Sequence, residues 1–183
     1  KYAHENSDFN IDDIEDGSMQ HPSGLNVVCS PSNPKYAEYV TPNHVENIIS
    51  IMRPYYDFII LDLPSYLSDC TLSAIESSDD ILLISKRDIP NLRACKAMMS
   101  ILATLQQHEK VKLIINADQK SVLKNSDFAN VLDIPVSFSI PEDIRSAKIS
   151  QERGEPFVSV LQRTSISKGI MRIARYCVRK DER

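Results

Sequence analysis

The run from Tyr56 to Ser65 constrains the fold of this chain more than any other stretch of its sequence. Its apolar middle, residues 58–61, is too short to cross a membrane and is rich in isoleucine, which predicts a strand buried on both faces of a sheet. A single carboxylate, Asp62, ends the run and is followed closely by Pro64 and Ser65. Because open α/β sheets bind ligands at the carboxyl ends of their strands, Asp62 is predicted to lie at a ligand site.

The position of this carboxylate favours a nucleotide as the ligand. A strand that ends in an aspartate in this way has the layout of a Walker B strand, whose carboxylate holds Mg²⁺ beside a bound nucleotide. An aspartate that only ends a strand is the alternative interpretation, and the motif taken alone leaves both interpretations open.

Composition and charge exclude several other classes of protein. The chain of 183 residues has a formal charge of -4 and a pI of about 5.6, which argues against a mainly electrostatic grip on DNA. Its length fits one domain, and no apolar run approaches the roughly 18 residues that a membrane-spanning helix needs. The four cysteines lack a CxxC spacing, so a zinc site is not expected.

Short apolar runs alternate with amphipathic segments along most of the chain. The runs predict five strands: Leu25–Cys29, the strand that ends at Asp62, Ile81–Ser85, Val111–Asn116 and Pro135–Pro141. The amphipathic segments predict helices: one capped by Asn43 and ended by Pro54, one after Ser68, one that opens at Pro90, one at 126–132, one from Asp143 to Arg153 and one near the carboxyl end. This alternation predicts an α/β fold with a mostly parallel sheet flanked by helices.

Two polar segments are expected to be solvated. Residues 1–22 are acidic and contain few large apolar groups, so they are predicted to form a connector with a short helix at Ile11–Ile14. Lys86 and Arg87 follow a predicted strand and could meet an anion or a partner, but a solvated strand end is the preferred interpretation.

Polar or turn-forming residues end three of the predicted strands: Asp62, Asn116 and the turn of Pro141 and Asp143. Because the carboxyl ends of parallel strands meet at one edge of a sheet, these residues are expected on a common rim. The amide of Asn116 both donates and accepts hydrogen bonds, so it can read the edge of an adenine. The proline turn can offer an apolar wall to a base. Each of these residues is also common in ordinary turns.

The order and wording of these segments resemble the ParA/MinD group of deviant Walker-A ATPases, and within that group the CpaE/TadZ-like branch associated with pilus assembly. The resemblance covers roughly residues 21–175. It is carried by "HPSGLNVVCSPSNPKYAEYV", "YDFIILDLPSYLSDCTLSAIESSDDILLISKRDIPNLRACKAMMSIL", "KVKLIINAD" and "IPVSFSIPEDIRSAKISQERGEPF". It implies a P-loop NTPase-like fold with ATP and Mg²⁺ as cofactors.

The resemblance also implies roles for individual residues, none of them catalytic. Asp62 matches the Walker B carboxylate, which in the family reaches Mg²⁺ through water, and is therefore the implied metal residue. Pro64 and Ser65 match the start of switch II, which senses the γ-phosphate. Asn116 matches the asparagine that contacts adenine, and Pro141 and Asp143 match the turn that lines the base pocket.

The chain departs from the family pattern in two ways. It has no GxxxxGK[ST] and no deviant Walker A, and its only glycines are Gly17, Gly24, Gly154 and Gly169. Tyr66 and Leu67 stand where family members often have a glycine, which puts the switch II chemistry in doubt. Residues 23–183 are therefore expected to be the C-terminal portion of a nucleotide-binding domain whose P-loop strand precedes them. Without that strand, apolar strand edges would be exposed, and both ATP and Mg²⁺ would require the missing portion.

The first functional hypothesis is a cytoplasmic ATP-binding localisation or assembly protein of the ParA/MinD type, acting in Flp/Tad-type pilus assembly through nucleotide-linked dimerisation. It would be an ATPase only if the missing portion is intact. Its implied partners are a second copy of itself and pilus assembly or polar localisation proteins, with concentration at a cell pole. No specific nucleic acid is expected, and membrane association would be indirect or peripheral.

Two alternatives remain open. A degenerate, non-hydrolysing dimeric scaffold with the same fold would mark a cell position, and the missing P-loop and Tyr66 favour it. A phospho-acceptor receiver domain is a weaker alternative, because Asn116 stands where that class requires a lysine.

Overall fold

A computed structural model describes residues 10–30, 34–37 and 39–181 of the chain. These residues fall into two compact units, which divide between Ser78 and Asp79. Among the described residues, no helix is both long enough and apolar enough to cross a membrane.

Most regular elements in the described part of the first unit are helices. Its elements are α1 (Ile11–Asp16), β1 (Met19–Gln20), β2 (Asn26–Val27), α2 (Pro34–Ala37), α3 (Pro42–Met52) and α4 (Asp69–Ser77). Helices α3 and α4 pack together, and the Ser73 hydroxyl of α4 donates to the Glu46 carboxylate of α3 at 3.0 Å. The predicted helix in the acidic segment is confirmed as α1, which buries Ile14.

The cap of α3 differs from the prediction. Thr41, not Asn43, is the N-cap residue, and its backbone N–H donates to the ring nitrogen Nδ1 of His44 at 3.1 Å. Pro42 explains the shift, because a proline without an N–H is best placed at the first position of a helix. The helix ends at Met52, just before the predicted stop at Pro54.

The prediction of a buried strand ending at Asp62 is wrong for this structure. Residues 56–67 form no strand, and the side chain of Ile60 is 86% exposed. A strand exists only where a neighbour completes its hydrogen-bond ladder, and no described strand pairs with this segment. The strand predicted at Leu25–Cys29 is also changed, because only Asn26–Val27 is a strand and it pairs antiparallel with β1.

The second unit holds the parallel sheet. Its elements are β3 (Ile81–Ser85), α5 (Ile89–Thr104), a 3₁₀ turn (His108–Lys110), β4 (Val111–Asp118), α6 (Asn125–Leu132), β5 (Val136–Pro141), α7 (Ile144–Arg153), α8 (Phe157–Val160) and α9 (Ser165–Asp181). The strands pair in the order β3-β4-β5, and both pairings are parallel. The predicted fold class, a parallel sheet flanked by helices, is confirmed.

The core of this unit lies on both sides of the central strand β4. Ile114 is buried with Ile140 of β5 and Ile173 of α9, so α9 covers one face of the sheet. Its neighbours Leu113 and Ile115 point to the opposite face, because side chains alternate along a strand, and both are fully buried. The predicted inner stripe of α5 is confirmed, since every member is buried: Leu92, Cys95, Met99 and Leu102.

The outer strand β3 is less well covered. Ile84 pairs in register with Ile114, yet its side chain is 60% exposed whereas that of Ile114 is 1% exposed. Leu82, two residues earlier on the same face, is exposed as well. Apolar side chains are therefore exposed on one face of β3, which is an outer strand of the described sheet.

Candidate functional site

The carboxyl ends of β4 and β5 meet at one point of the second unit. Asp118, the last residue of β4, pairs in register with Pro141, the last residue of β5. The backbone N–H of Glu142 then donates to the Asp118 carbonyl at 3.2 Å. This pairing brings Asn116 and the turn of Pro141 and Asp143, which the sequence placed on a common rim, to the same edge of the sheet.

Asn116 lies where the buried part of β4 ends. Its side chain is exposed, and its Oδ1 accepts a hydrogen bond from the Ala117 backbone N–H at 2.9 Å. Ala117 has a φ of 48°, a left-handed conformation that is uncommon for a residue with a side chain. The pairing with β5 shifts register between Ile115 and Asp118, so Ala117 lies in a bulge of the strand. Because an amide oxygen has two lone pairs and the amide nitrogen two donors, the side chain keeps capacity for a ligand.

Arg87 and Asp118 form an ion pair beside this bulge. The Nε of Arg87 donates to Oδ1 of Asp118 at 2.6 Å, and its Nη2 donates to Oδ2 at 2.9 Å. The two side chains are only 11% and 19% exposed. Hydrogen bonds from the guanidinium, helped by its charge, hold the pKa of Asp118 below its usual range, and the same contact raises the pKa of Arg87.

The sequence interpretation missed this pair, since Arg87 was expected to be solvated. A signal was present: Arg87 follows β3, and Asp118 ends the strand beside it. Opposite charges at the carboxyl ends of neighbouring parallel strands can meet, but strand order is not readable from one sequence. Arg87 also ties down the segment after β4, because its backbone carbonyl accepts from the Ser121 hydroxyl at 3.2 Å.

A groove of about 390 Å³ opens beside the ion pair. It is polar and is lined by Arg87, Asp118, Gln119, Lys120, Ser121 and Leu123. The groove is wide open to solvent, so it is a surface depression and not an enclosed cavity.

Asp143 has a structural task at the start of α7. As the N-cap residue, it accepts hydrogen bonds from the backbone N–H and the hydroxyl of Ser146, at 3.0 and 2.7 Å. These bonds favour the charged carboxylate and lower its pKa. Both oxygens are therefore engaged within the helix, so Asp143 can shape the turn after Pro141 without offering its carboxylate to a ligand.

The other predicted site residues belong to the first unit. Asp62, Pro64 and Ser65 are all exposed and lie in the segment that forms no strand. Within the described ranges, no group of three or more histidine, cysteine or acidic side chains is arranged to hold a metal ion.

The side chains at this edge of the sheet have groups suited to the base of a nucleotide but not to its phosphates. Asn116 has an amide suited to a base edge, and Pro141 pairs with Asp118, two residues further along β4. The phosphates require a loop of backbone N–H groups, usually rich in glycine, and this sequence contains no such loop. The residues present therefore fit the base of ATP, whereas binding of its phosphates and Mg²⁺ requires further residues.

Comparison with known proteins points to one group. No protein-family model matches the chain. An uncharacterised ATP-binding protein of Methanocaldococcus jannaschii is 23% identical over 164 residues, which are 88% of this chain and 61% of that protein. The septum site-determining protein MinD of Thermotoga maritima is 23% identical over 144 residues, 75% of this chain and 53% of that protein. The chain thus spans about half to three fifths of the length of these relatives.

Solved structures give the same picture. A ParA family ATPase from Chlorobium tepidum superposes with a TM-score of 0.80 at 19% identity, covering 91% of this chain and 74% of that chain. MinD from Pyrococcus horikoshii in complex with Mg-ADP gives a TM-score of 0.70 at 18% identity, covering 91% of this chain and 72% of that chain. The chain is therefore similar in sequence to MinD-type ATP-binding proteins over most of its length, and it has the α/β fold of the ParA/MinD-type ATPases.

Proposed function

We propose that this chain is the base-binding portion of a ParA/MinD-type ATPase. The observation that carries the proposal is the pairing of Asp118 with Pro141, because it brings the end of β4, which holds Asn116, to the same edge of the sheet as the turn that begins at Pro141. In an open α/β sheet, ligands bind outside the carboxyl ends of the strands, and this pairing lies there.

Each of the proposed site residues would have a separate role in binding. Asn116 would donate to and accept from the adenine edge, Pro141 would contact the face of the base, and Asp143 would hold the start of α7 in place through Ser146. When bound, Mg²⁺ would neutralise charge on the phosphates. Asp62 would orient the metal's water.

Pro64 and Ser65 are proposed to begin the segment that senses the γ-phosphate. Their exposure in the first unit leaves them accessible to a ligand or to a neighbouring segment. Since this sequence contains no phosphate-binding loop, hydrolysis would depend on residues outside it.

We infer a role in positioning or assembly. MinD relatives are described as septum site-determining proteins, and one MinD structure is a complex with MinC. The resemblance of "DIPNLR", "IPED" and "ERGEPF" to the pilus-assembly branch favours Flp/Tad-type pilus assembly at a cell pole, with nucleotide-linked dimerisation as the switch.

A non-hydrolysing scaffold is the second candidate. The exposed Tyr66 stands where family members often have a glycine, and its bulk would restrict movement of the backbone after Ser65. This candidate requires dimerisation without a response to ATP.

Calorimetric titration of the full-length natural protein with Mg·ATP tests the proposal. We expect micromolar binding that Asn116→Ala weakens, together with a reduced preference for ATP over GTP. Asn130→Ala, which removes an exposed amide from α6, is the matched control and should bind as the wild type does. A folded wild-type protein that binds no Mg·ATP would contradict the proposal and favour the scaffold.

The assembly role has its own test. Deletion of the encoding gene should abolish surface pili, and a dimer should appear on addition of Mg·ATP in analytical ultracentrifugation. Normal pili in the deletion strain would refute the pilus assignment while leaving nucleotide binding untouched.

A further inference from the structure

We propose that Arg87 determines the base preference of this site by occupying the carboxylate of Asp118, which would otherwise favour guanine. The inference rests on the proposed function, because it concerns the same base-binding edge of the sheet. Arg87 is a positioning residue in this scheme and does not itself contact the base.

The geometry of the pair supports this role. Two nitrogens of the guanidinium donate to the two oxygens of Asp118, at 2.6 and 2.9 Å, which is the bidentate arrangement that a planar fork of donors allows. A third nitrogen of Arg87 lies 3.5 Å from the carbonyl oxygen of Leu123. The arginine is thus held at several points, and both carboxylate oxygens are engaged.

Asp118 is placed where a free carboxylate would matter. It follows Asn116 by two residues across the bulge at Ala117, and it pairs directly with Pro141. Asp118 also lines the open groove beside the ion pair, so it borders solvent-accessible space. Without Arg87, the Asp118 carboxylate would keep its hydrogen bond from Ser139 but would lose its paired cation, and its negative charge would face this space.

The chemistry of the two purines gives the direction of the effect. An ionised carboxylate only accepts hydrogen bonds. The pairing edge of guanine presents two adjacent donors, its N1–H and its N2 amino group, and a free carboxylate can accept from both. Adenine presents an acceptor at N1, which the same carboxylate would repel. A carboxylate already paired with Arg87 offers guanine little, so the adenine preference of the Asn116 amide prevails.

The test measures base preference in the full-length protein. Affinities for Mg·ATP and Mg·GTP are determined by calorimetry for the wild type, Arg87→Met and the double variant Arg87→Met/Asp118→Asn. We expect Arg87→Met to shift the ATP-to-GTP affinity ratio towards GTP by about tenfold, the size of one hydrogen bond to a charged group. Adding Asp118→Asn should reverse most of that shift, because the neutral amide no longer accepts at both positions.

Two further variants separate positioning from general damage. Arg87→Lys keeps the charge but loses the two-point contact, so its shift towards GTP should be smaller in size and the same in sign. It also serves as the test if Arg87→Met does not fold. Arg93→Met removes an exposed arginine from α5 and should leave the ratio unchanged.

The outcomes distinguish this inference from the function on which it rests. A wild-type protein that is folded but binds no nucleotide overturns the proposed function and this inference with it. A wild-type protein that prefers ATP, together with variants that lose ATP and GTP affinity equally, overturns only the role of Arg87 in base preference and leaves it a structural residue.

Discussion

Gly169 of α9 lies against Ile140 of β5 so closely that a Cβ atom on the glycine would stand 3.2 Å from the Ile140 Cα. The same Cβ would stand 3.4 Å from a side-chain carbon of Ile140 and 3.4 Å from the Pro141 ring. This close approach packs α9 against β5 immediately before the turn of Pro141 and Asp143, which is part of the proposed base site. It also explains why glycine stands inside a long helix, where its flexibility is unfavourable.

We predict that Gly169→Ala lowers the free energy of unfolding by about 1–3 kcal/mol, the usual cost of overpacking. The sign is informative, because the same change inside an unconstrained helix would stabilise it by roughly 0.5–1 kcal/mol. Urea unfolding followed by circular dichroism gives the measurement. Lys168→Ala, at the exposed neighbouring position, is the control and should change little. A more stable Gly169→Ala variant would show that the contact yields easily.

The ion pair of Arg87 and Asp118 should make stability depend on pH in acid. The folded-state pKa of Asp118 is lowered by Arg87, so its contribution is complete above the unfolded pKa of about 3.9 and is lost as the pH falls through the folded value. We predict that wild-type stability falls more steeply below about pH 4 than that of Asp118→Asn. Thermal melts from pH 6 to pH 2.5 make the comparison.

Asp143 must be separated from this effect, because Ser146 also lowers its pKa and it will contribute to acid lability in both proteins. The difference between the wild type and Asp118→Asn cancels that contribution, since Asp143 is unchanged in both. Parallel pH profiles for the two proteins would mean that the ion pair adds no net stability at neutral pH.

The sequence predicted those elements whose signals are local. The stripe of α5, the start of α7 at Asp143 and its end at Gly154 depend on residues a few positions apart, and each was found where expected. Gly154 adopts a φ of 64°, the left-handed cap that glycine favours. Periodicity and capping act within one element, so a single sequence is enough to read them.

The errors came from features that depend on a partner. The segment ending at Asp62 has the composition of a buried strand. A strand also needs a neighbouring strand as its hydrogen-bond partner, and no described strand pairs with this segment, so Ile60 is exposed. To predict the contact between Arg87 and Asp118, one must know the order of the strands in the sheet. To predict the close packing of Gly169, one must know where α9 crosses β5. Of the predicted site residues, Asn116, Pro141 and Asp143 were placed together because they follow neighbouring strands.

We predict that Asp62→Ala abolishes the Mg²⁺-dependent part of nucleotide binding in the full-length protein and leaves the fold intact. The side chain is exposed, so its removal costs little packing. Titrations with ATP in the presence of Mg²⁺ and of EDTA give the measurement. Asp57→Ala, an exposed aspartate five residues earlier, should behave as the wild type does. Unchanged Mg·ATP affinity in Asp62→Ala would remove this residue from the site.

The open apolar edge of β3 predicts association of this 183-residue chain by itself. Ile84 and Leu82 are exposed on one face of an edge strand, and such strands tend to pair with other chains. We expect light scattering to show association that increases with concentration, and Ile84→Lys to reduce it several-fold, since an edge lysine opposes pairing. Val122→Lys is the matched control, because Val122 is 92% exposed but lies outside any strand. Equal reduction by both variants would assign the effect to added charge, and a chain that stays monomeric at high concentration would show that this edge does not attract a partner.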